Sequence, residues 1–293
     1  MARSGYLGAA GRVVCLALAV VCTSCGSGDI SIVPQGGDCT PTSVSIADTQ
    51  GTPLTGPSFA YQLQNADPTA ISGTQFAIIV MDYSRDGSDQ GQYTSQQIQA
   101  LHAAGKKALA YISIGEAESY RYYFLSSWTS GTGSTVHPST SAPCWLGNVD
   151  PAWAGNFAVK YWSEDWQKII LGYVDKVIAQ GFDGVYLDKV DEFEYWSAPN
   201  NGDSTQLKAG DAAAYMISFV KRIADHARNG KGLAHFLMVP QNGEDLLPFD
   251  PDGSYLATMS GMGIEDLFYD GTTPVAASET AYREGLLDQI AGA

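Results

Sequence analysis

Basic residues are scarce in this chain: Lys and Arg total 16 against 31 Asp and Glu, for a formal net charge of -15 and a pI near 4.4. A nucleic-acid binder draws its affinity from clustered Lys and Arg, so that partner class is excluded, while cationic and neutral partners stay open. Histidine is limited to His102, His137, His226 and His235, none at short ligand spacing, so neither a metal site nor a cofactor is expected. There is no Ser nucleophile elbow, no phosphate loop and no Cys/His pair, which removes the usual machinery of acyl and phosphoryl transfer. Long apolar runs are missing as well. The stretch Val13 to Val21 falls well short of the roughly 20 residues that a spanning helix needs.

That short run instead reads as an export signal. Arg3 and Arg12 precede it, and Thr23-Ser24-Cys25-Gly26-Ser27 follows like a bacterial lipobox with Cys25 as the lipidated residue, although Cys22 stands where Leu is usual. Ordinary cleavage without lipid is the alternative. Residues 1–25 are thus the signal, and 26–57, rich in Gly, Ser, Thr and Pro, read as a flexible tether. Residues 58–293 form one large domain, for which 45% hydrophobic and 11% aromatic residues supply ample core. Past Cys25 the cysteines are Cys39 and Cys144, a natural disulfide in an exported protein, with free thiols as the alternative. The expected location is outside the cytoplasmic membrane, anchored through Cys25 or released, as a monomer.

The domain is organised around Gly181-Phe-Asp-Gly-Val-Tyr-Leu-Asp188. Before it, Trp166, Ile169, Ile170, Tyr173, Val174 and Val177 recur at helical spacing, and Gly181 closes the helix. The apolar run after it is a buried strand with Asp188 at its carboxyl end. The same rhythm recurs along the chain. Strands are expected at 59–64, at 76–84 delivering Asp82, at 108–116 delivering Glu116, at 236–240 ahead of Asn242 and Glu244, and as an extended stretch at 254–264 ending at Glu265. Helices are expected at 94–104, 210–228 and 280–290. Alternating strands and helices demand a parallel sheet, and parallel sheets gather ligands at the carboxyl ends of their strands. A (β/α)8 barrel is the expected fold, short of one or two strands unless the long loop at 126–160 hides one. A doubly wound sheet is the rival, but its Gly-rich first turn is absent.

What the carboxyl face offers is carboxylates and aromatics, the equipment of glycoside cleavage. At the same residues a resemblance appears. Tyr61-Gln-Leu-Gln64, Met81-Asp82-Tyr83-Ser84, Tyr111-Ile-Ser-Ile-Gly115-Glu116-Ala-Glu118, Trp145-Leu-Gly147, Trp153-Ala-Gly155-Asn156, the segment ending at Asp188, and Gly263-Ile-Glu265-Asp-Leu-Phe-Tyr269 resemble the bacterial and archaeal branch of glycoside hydrolase family 114. That family contains endo-α-1,4-polygalactosaminidases. The resemblance implies a TIM barrel that hydrolyses an α-linked amino-sugar polysaccharide, with Asp188 as nucleophile or base and Glu265 as general acid. Lys189 departs from the Asn of the family's fungal branch and is expected to pair with a carboxylate, and Gln241-Asn242 replaces Lys-Asn, which removes a cation near the sugar. The resembling proteins continue with a further strand, which implies a longer parent sequence.

Around the catalytic pair, Asp82, Tyr83, Glu116, Tyr120, Arg121, Trp153, Tyr161, Tyr186, Asp191, Asn242, Glu244 and Tyr269 are the candidate substrate-binding residues. Plainer roles stand beside these: Asp188 as a turn cap, Asp82 and Glu116 as structural acids, Glu244 as a surface cap, Tyr120, Trp153 and Tyr161 as packing, and Arg121 as partner to a neighbouring acid. A barrel that binds glycan without cleaving it is the alternative function. The resemblance also favours retention of anomeric configuration, which needs carboxyl groups about 5 to 5.5 Å apart rather than the roughly 6.5 to 9.5 Å of an inverting enzyme. The export reading makes a direct prediction. Mass spectrometry of the mature protein should find an N-terminal, lipid-modified Cys25, and an unmodified Cys25 or a different cleavage site would remove the anchor.

Overall fold

The computed structural model describes residues 39–54 and 58–292. The signal, Cys25 and the first part of the expected tether lie outside the described residues.

In chain order, β1 (Phe59–Gln62), α1 (Pro68–Ser72), β2 (Ile78–Met81), α2 (Ser95–Ala103) and β3 (Lys107–Ser113) open the domain. An excursion follows, made of β4 (Glu116–Glu118), β5 (Thr129–Ser130), β6 (His137–Pro138), β7 (Leu146–Val149) and β8 (Asn156–Val159). The repeat resumes with α3 (Glu164–Gln180), β9 (Gly184–Asp188), α4 (Glu192–Ser197), α5 (Ala209–Asp225), β10 (Leu237–Pro240) and α6 (Ser254–Thr258). The hairpin β11 (Tyr269–Asp270) and β12 (Thr273–Pro274) then leads into α7 (Ala277–Gly292).

The main sheet runs β1-β2-β3-β9-β10, all parallel, and Gly263 adds a parallel bridge to Gln241 at its far edge. Spatial order therefore follows chain order without reversal. A doubly wound sheet reverses at a switch point, so this is the winding of a β/α barrel. Its strands are covered on both faces. Ile79, Met81, Ala108, Ala110, Ile112, Val185, Leu187 and Met238 pack against the helices. Their alternating neighbours Ile78, Val80, Leu109, Tyr111, Tyr186, Leu237 and Val239 form a separate apolar cluster inside the curved sheet. Burial on both faces is why these strands read as continuous apolar runs instead of alternating ones.

Three local expectations are corrected. Glu116 is not the end of β3: the strand stops at Ser113, and Glu116 belongs to β4, which pairs antiparallel with β8 in a β4-β8-β7 sheet. Gly115 lies at this break, where a Cβ would stand 2.1 Å from the Lys189 carbonyl oxygen. The long loop hides no barrel strand; it folds into that sheet and the β5–β6 hairpin. The stretch from Ser254 begins as the helix α6, because the Asp250 and Asp252 carboxylates accept the N–H groups of Tyr255, Leu256 and Ser254 and so satisfy its first turn.

Within the stretch read as a tether, residues 39–54 lie against the domain. Gly51 and Leu54 donate N–H bonds to Ala257 and Ser260, Arg228 donates to Thr49, Lys221 pairs with Asp48, and Leu54 packs onto the interior cluster. Cys39 is joined to Cys144, with Cα atoms 5.9 Å apart. Because that bond closes a separation of 105 residues, the Cys39→Ser/Cys144→Ser double variant should unfold about 2–5 kcal/mol more easily in a urea titration. A non-reducing peptide map of the protein should show the two peptides linked.

Candidate active site

Asp188 ends β9, and its carboxylate is held by donors from three strand ends. Tyr111 of β3 donates its hydroxyl to Oδ2 at 2.5 Å, Gln241 after β10 donates Nε2 to Oδ1 at 3.0 Å, and the Lys189 N–H donates to Oδ1 at 2.8 Å. The strand register makes this possible: Tyr111 is paired with Tyr186, two residues before Asp188, so both side chains face the barrel interior. Burial raises the Asp188 pKa, while the Tyr111 bond, the Lys189 N–H and the Lys189 charge pull it back.

Glu265 follows the bridge at Gly263. Its N–H donates to Asn242 Oδ1 at 2.8 Å, and its Oε2 accepts from Asn242 Nδ2 at 3.2 Å, so one amide grips both the backbone and the carboxyl. Its pKa is raised by burial and then by the Asp188 charge, and the amides of Asn242 and Gln241 work against this. Gln241 therefore acts on both carboxyl groups.

A common backbone device aims these side chains. Lys189, Asn242 and Asp266 have φ of 59°, 53° and 51°, the left-handed region that non-glycine residues seldom adopt. Each directly follows a residue at the site, namely Asp188, Gln241 or Glu265. The chain turns away sharply there and leaves the preceding side chain pointing into the barrel mouth. Such strain, of order 1–3 kcal/mol per residue, is characteristic of sites held by their surroundings.

Three tyrosines form the floor. Tyr61 meets Tyr111 and Tyr186 edge-to-face, with centroids 6.4 and 5.5 Å apart. Burial and the nearby acids raise all three hydroxyls well above the usual tyrosine value, so they stay protonated and act as donors. Gly263 makes room for this floor: a Cβ there would stand 1.9 Å from Tyr186 Oη.

Charged clusters flank the pair on two sides. Lys189 Nζ lies 2.7 Å from Glu116, 3.5 Å from Asp150 and 3.7 Å from Glu192, and Asn156 donates to the other Glu116 oxygen at 3.0 Å. Burial opposes the Lys189 charge, but Glu116, Glu192 and Asp191 raise its pKa above the ordinary lysine value. Burial also pushes the Asp191 carboxyl up to about 7. On the other side Arg121 joins Asp82 at 2.6 Å and Glu118 at 2.7 Å, and Tyr120 donates its hydroxyl to Glu118. Burial raises Asp82 to about 6 against the pull of Arg121.

The expected site residues thus separate. Asp188, Glu265, Tyr186 and Asn242 come together, with the Asp82–Arg121 and Glu116–Lys189 clusters around them. Tyr120, Trp153 and Tyr269 are 45%, 37% and 56% exposed. Two expectations are corrected: Tyr83 and Tyr161 are fully buried core residues whose hydroxyls donate to the carbonyls of Gly87 and Ala212, so neither offers a surface to a ligand. Glu244 is not a surface cap but a buried acid paired with Arg283. Sequence reasoning missed Tyr111, Tyr61 and the Gln241 bond to Asp188. The available signal was a polar side chain at an inward-facing position near a strand end, where apolar residues otherwise dominate.

Residues 40–258 match the model for Glycoside-hydrolase family GH114. An uncharacterized protein of Methanocaldococcus jannaschii is 47% identical over 232 residues, which cover 79% of this chain and 62% of that protein. One from Thermotoga maritima is 43% identical over 239 residues, covering 82% and 68%. The chain thus spans less than two thirds of the length of the first of these relatives. The glycoside hydrolase domain of PelA from Pseudomonas aeruginosa has a similar fold, with a TM-score of 0.54 at 16% identity and 80% coverage of each chain. Aspergillus fumigatus Ega3, solved with galactosamine, gives 0.56 at 20% identity, covering 84% of this chain and 78% of that one.

The Tyr111 bond gives a testable sign. A carboxyl whose folded pKa is raised adds stability below its unfolded value and loses it as pH rises through the folded pKa. Tyr111→Phe removes an interaction that lowers the Asp188 pKa, so the loss should move to higher pH. Carbon-13 titration of the Asp188 carboxyl should show its midpoint shifted upward. Above that midpoint the variant should be about 1.5–3 kcal/mol less stable, the worth of a hydrogen bond to a charged group.

Proposed function

The chain belongs to glycoside hydrolase family GH114, and from that premise we propose that it hydrolyses an α-linked amino-sugar polysaccharide by paired-carboxylate catalysis. The observation that carries the reading is the unequal treatment of two half-buried carboxyl groups at strand ends, both raised by burial. Asp188 accepts from Tyr111, Gln241 and the Lys189 N–H, and Lys189 adds positive charge, all of which favour its ionised form. At Glu265 burial and the Asp188 charge favour the proton, while the bond from Asn242 works against it. Environments that push two carboxyls apart in this way divide them into base and acid.

Asp188 Oδ attacks the anomeric carbon while Glu265 delivers its proton to the departing glycosidic oxygen. Glu265, now ionised, takes a proton from the water that releases the sugar from Asp188. The Asp188 charge felt by Glu265 supports the short carboxyl separation of a retaining enzyme. Acidic groups outnumber cations around the mouth, where Lys189 and Arg121 are already paired, so a polymer carrying ammonium groups is attracted rather than repelled. Gln241, in place of the fungal lysine, adds to that balance. Galactosamine bound to Ega3 is in keeping with such a substrate. The joined Cys39 and Cys144 support an exported, oxidising location.

An α-1,4-galactosaminan digest should release reducing ends, and Asp188→Asn should abolish them. Glu265→Gln should lower kcat about 10²–10⁴-fold on substrates with poor leaving groups. Proton NMR of the fresh product should show the α-anomer first. A β-anomer appearing first would refute retention, and an Asp188→Asn variant of undiminished rate would refute the assignment. Full N-acetylation of the polymer should weaken binding if its ammonium groups are recognised.

A further inference from the structure

We propose that Arg283, on the C-terminal helix α7, is a positioning residue for Glu265, holding the backbone of the acid's loop while Asn242 holds its side chain. The inference rests on Glu265 being the acid in the reading above. Arg283 Nη2 donates to the Glu265 carbonyl at 3.0 Å, Nη1 to the Asp266 carbonyl at 3.3 Å, and Nε to Glu244 Oε1 at 2.7 Å. The planar guanidinium thus spans two successive carbonyls and a carboxylate, which a lysine ammonium cannot do in fixed geometry.

Each partner explains another. The Glu244 side chain is 2% exposed, its second oxygen has no partner among the described residues, and Arg283 is what neutralises it. Glu244 in turn holds the guanidinium beneath the loop. Asp266 is the left-handed residue that turns the chain away after Glu265, so its carbonyl and that of Glu265 lie outside the barrel's strand ladder. Arg283 supplies the donors that water or a neighbouring strand would otherwise provide. With Asn242 gripping the N–H and the carboxyl, Glu265 is fixed at its nitrogen, its carbonyl and its side chain.

Helix α7 is otherwise lightly attached: Leu286 is its one buried residue, and Thr280 adds a hydroxyl bond to the Leu267 carbonyl. The connection runs from α7 through one side chain to the acid. Loosening it should expose Glu265 to water and move it from the Asp188 charge, and both changes lower its pKa.

The test compares Arg283→Met, Arg283→Lys and Glu244→Gln in the full chain. Arg283→Met should lower kcat on α-1,4-galactosaminan about 10- to 100-fold, as a misplaced catalytic group does, with KM little changed. The basic limb of the kcat profile should move to lower pH, and Arg283→Lys should recover part of the rate. Carbon-13 titration of the Glu265 carboxyl, assigned through Glu265→Gln, should show the same downward shift and can be read whether or not the polymer is cleaved. A wild type that cleaves nothing would defeat the functional reading alone. An unchanged Glu265 titration and kcat in Arg283→Met, with only a lower melting temperature, would overturn the positioning role. Should Arg283→Met fail to fold, Glu244→Gln keeps the arginine and removes its anchor; it should show the same shift in smaller measure, and an unchanged titration there overturns the proposal.

Discussion

A carboxylate buried at the mouth of a barrel must be satisfied by donors, or the charge it needs for chemistry is lost to its proton. The structure meets that demand at Asp188 with groups that no single segment could supply: the Tyr111 hydroxyl from β3, the Gln241 amide from beyond β10, and the N–H of Lys189. These groups converge only if the strands lie in parallel and in this order. The winding of the sheet and the hydrogen bonding of the Asp188 carboxyl are therefore one requirement seen at two scales.

The second constraint is local. The ends of β9 and β10 and the bridge at Gly263 lead to Asp188, Gln241 and Glu265, and the residue after each is left-handed. None of them is glycine, so each turn carries a conformational cost that the surrounding contacts must offset. Those contacts are visible: Lys189 is held by Glu116 and its neighbours, Asn242 by its reciprocal bonds to Glu265, and Asp266 by Arg283. The strained residues are thus also the residues through which outer elements reach the site.

The antiparallel excursion between β3 and α3 builds one wall of the mouth. It contributes Glu116 and Glu118 from β4, Asp150 after β7 and Asn156 from β8, and it is tied to the N-terminal segment through Cys144. An element outside the barrel's repeat therefore adds acids that pair with Lys189 and Arg121, beside Glu192 of α4 and Asp82 after β2. Its packing rests on Trp145, Phe157 and Trp166, all buried, which explains why this region is so aromatic.

Much of this was legible along the chain. The helix before β9, its glycine stop at Gly181, the strand ending at Asp188, the Thr94 capping box of α2 and the cysteine pairing all follow from spacing and residue type, because they depend on neighbours in sequence or on a short list of candidates. The region from Ser254 was misjudged, since the capping of α6 comes from side chains whose targets only the folded turn reveals. Tyr83 and Tyr161 could not be told from ligand-facing aromatics, because burial is a property of what packs over a residue. By itself the sequence determined that carboxylates stand at strand ends and that those strands run in parallel, as periodicity and the β/α rhythm are local. The tertiary structure alone decided that Tyr111 and Gln241 share Asp188, that Asn242 grips Glu265 and that Arg283 reaches back to it, because those partners are brought together only by the register of strands far apart in the chain.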